Sequence, residues 1–264
     1  MFQKLLLIII LIILIILIVL IVYNIYSISL KSSHIELSPK LNEKDIINLK
    51  KGQTKMTNML YEFDKICMKH NITYFAIGGT LLGAIIYKGW IPWDGDIDIE
   101  ILESDWSRLN KALKEELPKS MFLQTEETDV HYKSWNPKYV MGKIRDINSC
   151  YKNCQDGKRF HNGFMIDLNL FYIDNNDILV FPHKADNEAS LTKNDVYPLK
   201  RVKFDNIMIN IPNNGEKYLK GRYKPKNSKY MLPIKDRYPH EGLFDPNNTC
   251  EHHYELYPKL YPNN

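Results

Sequence analysis

An unbroken run of Leu, Ile and Val from Leu5 to Val22 constrains this chain more than any other feature of its sequence. No soluble helix needs apolar side chains on every face over that length. At about 1.5 Å per residue the run would span about 27 Å, close to the hydrocarbon thickness of a bilayer. It is longer than the apolar region of a cleaved signal peptide, and no small-residue cleavage site follows it. We therefore predict an uncleaved transmembrane helix, with Tyr23 and Tyr26 at the membrane–water interface.

This anchor sets the expected organisation of the chain. We assign residues 1–26 to the anchor, 27–44 to a polar stem and 45–264 to one folded domain, a normal length for a single core. A short N-terminus inside and a large C-terminal domain outside is the commoner arrangement. We therefore expect a single-pass membrane protein whose folded domain lies in a Golgi- or ER-like lumen or another extracytoplasmic space.

Composition narrows the possible partners. The net charge of +4 is small and dispersed, with no basic arm, so we expect no nucleic-acid partner. Four cysteines are too few for a disulfide-built domain. Cys150 and Cys154 are placed to pair across a short loop in an oxidising compartment. A zinc site from these two with Cys250 and His252 or His253 is the weaker alternative, because the spacing fits no zinc pattern well.

Hydrophobic periodicity predicts a mixture of helices and short strands. Apolar residues recur at helical spacing from Asp45 to His70, in one or two helices, and from Trp106 to Leu117. Thr80 is expected to cap another short helix. The predicted strands are Ile72–Ile77, Asp96–Ile101, Val140–Ile147 and Phe164–Tyr172.

Asp96 and Asp98 are the candidate metal ligands. Residues i and i+2 of a strand point to the same face, so the two carboxylates would stand side by side while Ile97 and Ile99 enter the core. Hard oxygen ligands of this kind suit Mg²⁺ or Mn²⁺. Asp94, just before the strand, is expected to add a ligand or to hold a metal-bound water. A solvated strand face is the alternative, although aspartate is depleted in strands.

A glycine turn and a third acid support the metal interpretation. Gly78-Gly79-Thr80 precedes the aspartates by one helix, and such a turn can offer backbone N–H groups and a hydroxyl to a phosphate. Asp167, between Ile166 and Leu168, is the candidate third carboxylate on a neighbouring strand. A phosphate site followed by a carboxylate cluster is typical of the nucleotidyltransferase fold. We therefore predict an α+β, nucleotidyltransferase-like fold, a small mixed sheet flanked by helices, behind the N-terminal transmembrane helix.

The stretch Gly79 to Ala84, followed by Gly89 to Ile99 with its aspartates, resembles the signature of a known family, LicD. The family includes bacterial phosphocholine transferases and is related to the fukutin group of animal Golgi enzymes. The resemblance covers roughly Met56 to Pro233, and this chain departs from the common Trp-Asp-Asp-Asp-Ile-Asp pattern by having Gly95 where the middle acid stands. The matching stretches are Gly79-Thr80-Leu81-Leu82-Gly83-Ala84, Gly89 to Ile99 with Trp93-Asp94-Gly95-Asp96-Ile97-Asp98, and Tyr197 to Val202, Ile211 to Asn214 and Tyr218-Leu219 in the C-terminal half.

The resemblance implies a LicD-like phosphotransferase that takes a phospho-alcohol, such as phosphocholine, ribitol phosphate or glycerol phosphate, from a CDP-alcohol to a glycan hydroxyl and releases CMP. Mg²⁺ or Mn²⁺ held by Asp96, Asp98 and Asp167 would neutralise the diphosphate and the leaving CMP. A second metal, or Asp167 itself, is available to help deprotonate the acceptor hydroxyl. Lys143 and Arg145, on a predicted strand, are expected to contact the diphosphate, unless they form a charged strand face.

Two other interpretations stay open. Gly95 in place of an acid is compatible with a catalytically silent relative that binds a glycan or assists another transferase. A nucleotidyltransferase that adds a nucleotide, rather than releasing CMP, is the third possibility. Trp90 and Trp93 are predicted mainly to pack the turn around the aspartates, with stacking on a base or choline group as the alternative. His161 is predicted to lie at the surface, with contact to substrate as the alternative, and the cluster of Cys250, His252 and His253 is also placed at the surface.

Overall fold

The computed structural model describes residues 14–21, 40–132, 141–153, 160–182, 191–223 and 237–262. The chain divides into two compact units, Met1–Leu37 and Ser38–Asn264. In the first unit, residues 14–21 are helical and expose their apolar side chains. Within the described ranges no helix is long and apolar enough to cross a membrane, so the structure does not support the predicted transmembrane helix. The remainder of the run Leu5 to Val22, and most of the predicted stem, lie outside the described residues.

The second unit is a mixture of helices and strands. Its α-helices are α1 (Glu43–Lys69), α2 (Gly78–Leu82), α3 (Trp106–Glu116), α4 (Lys193–Val196), α5 (Gly215–Tyr223) and α6 (His252–Leu256), with a π-helical turn at Gly83–Tyr87 and a 3-10 turn at Glu103–Asp105. Its strands are β1 (Tyr74–Ala76), β2 (Ile97–Leu102), β3 (Met121–Gln124), β4 (Gly142–Asp146), β5 (Cys150–Lys152), β6 (Met165–Ile173), β7 (Leu179–Val180), β8 (Lys200–Phe204), β9 (Ile207–Ile211) and β10 (Leu243–Asp245).

A six-stranded mixed sheet organises this unit. The strand order is β1-β2-β6-β4-β3, with β7 paired to β6 outside that path. Strands β2 and β6 are parallel, whereas β1, β3 and β4 join their neighbours antiparallel. Two small antiparallel pairs, β5 with β10 and β8 with β9, accompany the sheet. The predicted α+β class, with a mixed sheet flanked by helices, is confirmed.

Strand β2 follows the predicted alternation. Ile97, Ile99 and Ile101 are completely buried, which anchors the strand in the core while the intervening acids face the opposite side. Helix α1 is one continuous helix, started by a capping box in which Asn42 and Asp45 bond to each other's backbone N–H. Its buried side chains close one side of the core; they include Leu49, Met56, Leu60 and Phe63.

Two local predictions need correction. Asp96 directly precedes β2 instead of lying in it: the turn at Pro92 and Trp93 is followed by three residues without regular structure, and β2 begins at Ile97. Thr80 does not cap a helix: α2 begins at Gly78, and Thr80 lies inside it with its side chain buried. The aspartates therefore sit at the start of β2 and against the first turn of α2.

The cysteine and histidine predictions also change. Cys150 is bonded to Cys250, 100 residues later, whereas Cys154 lies outside the described residues. A disulfide sulfur is not available as a zinc ligand, so the alternative zinc site loses two of its members. His161 and His253 are fully buried and Cys250 is buried as well, whereas the sequence predicts a surface position for all three. Sequence reasoning missed these contacts because their partners lie about 100 residues away along the chain.

Candidate active site

The parallel pairing of β2 with β6 brings the predicted acids together. Asp98 and Asp167 are directly opposite each other in the register, on the same face of the sheet. Carboxylate oxygens of Asp96, Asp98 and Asp167 all lie within 4.8 Å of one another. Three oxygen donors at that separation can share one hard divalent cation. Three of the four acids assigned as ligands from sequence thus form one cluster at the start of two parallel strands.

Burial and mutual repulsion make this cluster electrostatically costly. Burial, followed by the negative charges of Glu241 and Asp98, raises the pKa of Asp94 to about 8. Burial and the charge of Asp167 raise the pKa of Asp98 to about 6. The pKa of Asp96 is raised well above its usual value, by burial and by Glu241 and Asp98. A bound divalent cation would remove this cost, so the donor set fits the expected Mg²⁺ or Mn²⁺.

The glycine turn lies against the carboxylates. Gly78 has a positive φ of 54°, and a Cβ on it would lie 2.6 Å from Oδ2 of Asp98. A Cβ on Gly79 would collide with Oδ2 of Asp94. The Thr80 hydroxyl accepts a hydrogen bond from the backbone N–H of Asp98 at 3.0 Å. The turn therefore positions the acids; its predicted role in binding phosphate through Gly78, Gly79 and Thr80 stays a prediction.

Lys143 and Arg145 lie on β4, next to the cluster. The Lys143 ammonium is buried and contacts both carboxylate oxygens of Asp167, at 2.5 and 2.7 Å. Burial lowers the pKa of Lys143, against the opposing effect of Asp167. Arg145 donates hydrogen bonds to Oε1 of Gln124 and to the carbonyl oxygen of Gly163, both at 2.8 Å. Lys143 thus orients Asp167, and contact of either side chain with a diphosphate stays a prediction.

The turn before β2 is held by packing, as predicted for its tryptophans. Trp90 is buried and donates a hydrogen bond to the Thr57 hydroxyl at 2.9 Å. Trp93 is buried beneath the guanidinium of Arg237, 5.1 Å from the ring centre. Gln53, on α1, donates to the Asp94 carbonyl oxygen at 2.9 Å. These contacts fix the backbone that presents Asp94 and Asp96.

The structure adds two residues that the sequence did not single out. His240 Nε2 lies 2.5 Å from Oε1 of Glu241 and 3.8 Å from Oδ2 of Asp96. Hydrogen bonding to Glu241 raises the pKa of His240 to about 9. Asp96, His240 and Glu241 form a second group whose possible metal-ligating atoms lie within 4.8 Å of one another. No spacing rule connects residues so far apart, so only the fold shows that they belong to the site.

Comparisons with known proteins agree with this geometry. The family model for the LicD/FKTN/FKRP nucleotidyltransferase domain matches residues 71–214, which include Gly78 to Thr80, Asp96, Asp98 and Asp167. His240 and Glu241 lie beyond the matched stretch. The match therefore covers the predicted metal ligands Asp94, Asp96, Asp98 and Asp167, and of the second group it includes only Asp96.

Individual relatives match more loosely. The chain is 26 % identical over 141 residues to the lipopolysaccharide cholinephosphotransferase LicD of Haemophilus influenzae, covering 52 % of this chain and 49 % of that protein. It is 27 % identical over 199 residues to an uncharacterized protein of Rickettsia prowazekii, covering 75 % of this chain and 64 % of the relative. An uncharacterized protein of Rickettsia typhi is 25 % identical over 183 residues, or 69 % and 49 % of the two chains. The chain spans between about half and two thirds of these relatives' lengths.

Proposed function

Because the chain belongs to the LicD family, we propose that it transfers a phospho-alcohol from a CDP-alcohol to a glycan hydroxyl and releases CMP. The observation that carries the proposal is the pairing of Asp98 with Asp167 across two parallel strands, with Asp96 beside them. A cholinephosphotransferase among the relatives supports the phosphocholine class of donor. Phosphocholine, ribitol phosphate and glycerol phosphate remain alternative groups, and Mg²⁺ or Mn²⁺ is the proposed cofactor.

Each carboxylate has a definable task in this proposal. Asp96, Asp98 and Asp167 would hold the divalent cation, with Asp94 as an added ligand or as the acceptor for a bound water. When bound, the cation neutralises charge on the diphosphate and on the departing CMP. Lys143 keeps Asp167 aimed at the cluster through its two short contacts. The glycine turn keeps Asp94 and Asp98 close to the first turn of α2.

The test is a donor screen with the purified full-length chain. CDP-choline, CDP-ribitol and CDP-glycerol are each incubated with a glycan acceptor and either Mg²⁺ or Mn²⁺, and CMP release is measured. We expect release with one donor, abolished by EDTA and by Asp98→Asn. Asp177→Asn is the matched control, because Asp177 is exposed in a turn outside the cluster and has a positive φ that asparagine accepts.

The same screen separates the alternatives. Transfer of a labelled nucleotide to the acceptor, without CMP release, would establish the nucleotidyltransferase reading in place of ours. A folded chain that binds neither divalent cation nor any CDP-alcohol would contradict the proposal and favour the catalytically silent relative. Full activity in Asp98→Asn would refute the role of the carboxylate cluster.

We also propose an oxidising, extracytoplasmic location for the folded domain. The disulfide between Cys150 and Cys250 supports it, since such bonds persist outside reducing compartments. The check is to alkylate the protein inside intact cells and count blocked cysteines by mass spectrometry. Cys150 and Cys250 should resist alkylation until a reductant is added. Their immediate alkylation would place the domain in a reducing compartment.

A further inference from the structure

Glu241 occupies the space beside Gly95. A Cβ built on Gly95 would overlap Oε2 of Glu241 and would lie 2.8 Å from the Cζ atom of Phe244. The backbone of Gly95 does not need glycine, because its φ is outside the left-handed region. What the position requires is the absence of a side chain. Gly95 thus lies between Asp94 and Asp96 without a side chain of its own, and the space is filled by a carboxylate from another part of the chain.

Glu241 is held in that room without a full set of partners. Its side chain is only 3 % exposed. Its Oε1 atom lies beside His240, and Oε2 has no hydrogen-bond partner among the described residues. A buried carboxylate oxygen without a donor is unfavourable, and His240 lies against Oε1, so a cation bound at Oε2 would satisfy the oxygen that is left. Asp96 and His240 are placed to share such a cation, because their possible ligand atoms and those of Glu241 lie within 4.8 Å of one another.

The surrounding structure fixes where Glu241 points. Gly242 follows it with a φ of 113°, a conformation that favours glycine, and turns the chain into β10. Strand β10 pairs with β5, and the disulfide from Cys150, the first residue of β5, ties the same region together. The hydroxyl of Tyr151, also on β5, donates a 2.7 Å hydrogen bond to the carbonyl oxygen of Gly95. The same pair of strands therefore positions both Glu241 and the gap that receives it.

We propose that Glu241 is a divalent-cation ligand, which together with Asp96 and His240 forms a metal-binding position adjoining the Asp96, Asp98 and Asp167 cluster. Asp96 belongs to both sets. An imidazole among carboxylates is better suited to Mn²⁺ than to Mg²⁺, because Mg²⁺ strongly prefers oxygen donors. This inference rests on the proposed function only for what the cation does in the reaction. Binding of the cation does not require a CDP-alcohol.

The test is Mn²⁺ titration of the full-length protein without donor, followed by electron paramagnetic resonance of free Mn²⁺. We expect Glu241→Gln to weaken Mn²⁺ binding about tenfold or more. Glu255→Gln is the matched control, since Glu255 is exposed on α6, and it should bind like the wild type. Circular dichroism confirms that each variant is folded. Unchanged Mn²⁺ affinity in a folded Glu241→Gln variant would overturn the proposal.

A second pair of variants changes Gly95, the residue beside Glu241, and tests the proposal if Glu241→Gln does not fold. Gly95→Ala places a methyl group where Oε2 lies, so it should displace Glu241 and weaken Mn²⁺ binding. The double variant Gly95→Asp with Glu241→Ala returns a carboxylate to the gap, and we expect it to bind Mn²⁺ more tightly than Glu241→Ala alone. Wild-type affinity in Gly95→Ala would contradict the proposal.

The readout separates this inference from the proposed function. If Glu241→Gln weakens Mn²⁺ binding but the wild type releases no CMP from any donor, the proposed reaction is refuted and Glu241 remains a metal ligand. If CMP release depends on a cation but Mn²⁺ affinity is the same in Glu241→Gln as in the wild type, the proposed reaction stands and the role of Glu241 as a metal ligand is refuted.

Discussion

Two buried polar clusters in this protein are built on opposite principles. The carboxylate cluster, formed by Asp94, Asp96, Asp98, Asp167 and Glu241, gathers acids in one place with few cationic partners. The second, which we call the histidine cluster, combines two buried histidines with two tyrosines and an aspartate. Its members are His161, His253, Tyr257, Tyr261 and Asp129. Burying polar groups is unfavourable in both clusters, and the clusters differ in which interactions offset the lost hydration.

Hydrogen bonds meet that cost in the histidine cluster. The His161 and His253 rings stack with their centres 3.8 Å apart. His161 Nδ1 accepts from the Gly163 N–H, and its Nε2 lies 2.8 Å from the Tyr261 hydroxyl. Tyr257 donates to Asp129 at 2.8 Å, and Nε2 of His253 accepts from the backbone of Asn162. Burial holds both histidine pKa values below their usual range, so the rings are neutral near pH 7. The satisfied cluster stabilises the fold, whereas the surplus charge of the carboxylate cluster indicates a function.

The largest expected effect comes from removing one acid of the carboxylate cluster. Asp98→Asn should lower CMP release by about 1,000-fold, close to 4 kcal/mol of transition-state stabilisation, because a cation ligand is lost. The same change should raise the thermal stability of the metal-free protein, because it removes repulsion with Asp167. Kinetics and thermal unfolding of one preparation measure both. A variant that loses both activity and stability would mean that Asp98 is structural.

Breaking the histidine cluster should have the opposite profile. His253→Ala removes a fully buried ring and leaves the Asn162 N–H without its acceptor, so we expect a loss of about 3 kcal/mol in unfolding free energy. Urea denaturation measures it. Mn²⁺ affinity should stay unchanged at temperatures where the variant is folded. A loss of Mn²⁺ binding by the folded variant would show that the two clusters are coupled.

Acid should weaken the histidine cluster selectively. The pKa of His253 is lowered from 6.5 to about 3 by burial and by the charges of His252 and Arg145. Below pH 6.5 His253 is protonated in the unfolded chain but stays neutral in the folded protein. The free energy of unfolding therefore decreases as the pH falls from about 6.5 to about 3. Between pH 7 and pH 5 this amounts to about 2 kcal/mol from His253 alone. Urea denaturation at both pH values should show a smaller difference in His253→Ala.

The smallest effect concerns cation binding to the folded protein. Mn²⁺ at about ten times its dissociation constant should stabilise the wild type by about 1.4 kcal/mol, since the unfolded chain has no assembled site. Thermal unfolding with and without Mn²⁺ measures this shift. Asp98→Asn should show a smaller shift, and His253→Ala should show the full one. Equal shifts in all three proteins would place the cation elsewhere.

The local half of the site could be predicted from sequence. Alternation of acids with Ile97 and Ile99 identified β2, and the acid in an apolar strand identified Asp167, because side-chain direction in a strand has a fixed period. The register that pairs Asp98 with Asp167 is a tertiary fact; from sequence, only a third carboxylate on a neighbouring strand could be expected, as the nucleotidyltransferase fold requires. These are features in which neighbouring residues carry the information.

The remainder depended on contacts between distant parts of the chain. Glu241 reaches Asp96 across more than 140 positions, and Cys150 selects Cys250 over the nearer Cys154 as its partner. The sequence around His161 predicts a surface residue because a lone histidine carries no local sign of burial, but its ring is covered by the C-terminal tyrosines. No local sequence pattern encodes these long-range contacts, because they form only when distant strands such as β5 and β10 pair.

The late position of β10 has a consequence for how the molecule is made. A ribosome has already extruded Asp94, Asp96, Asp98 and Asp167 before it adds Glu241, and Cys250 follows nine residues later. During that interval the acids of the sheet can gather, but the carboxylate beside Gly95 has yet to arrive. The nascent protein thus carries a sheet with a half-assembled centre. Translation that stalls near Tyr223 would yield a product with the family's matched stretch complete but without His240 and Glu241.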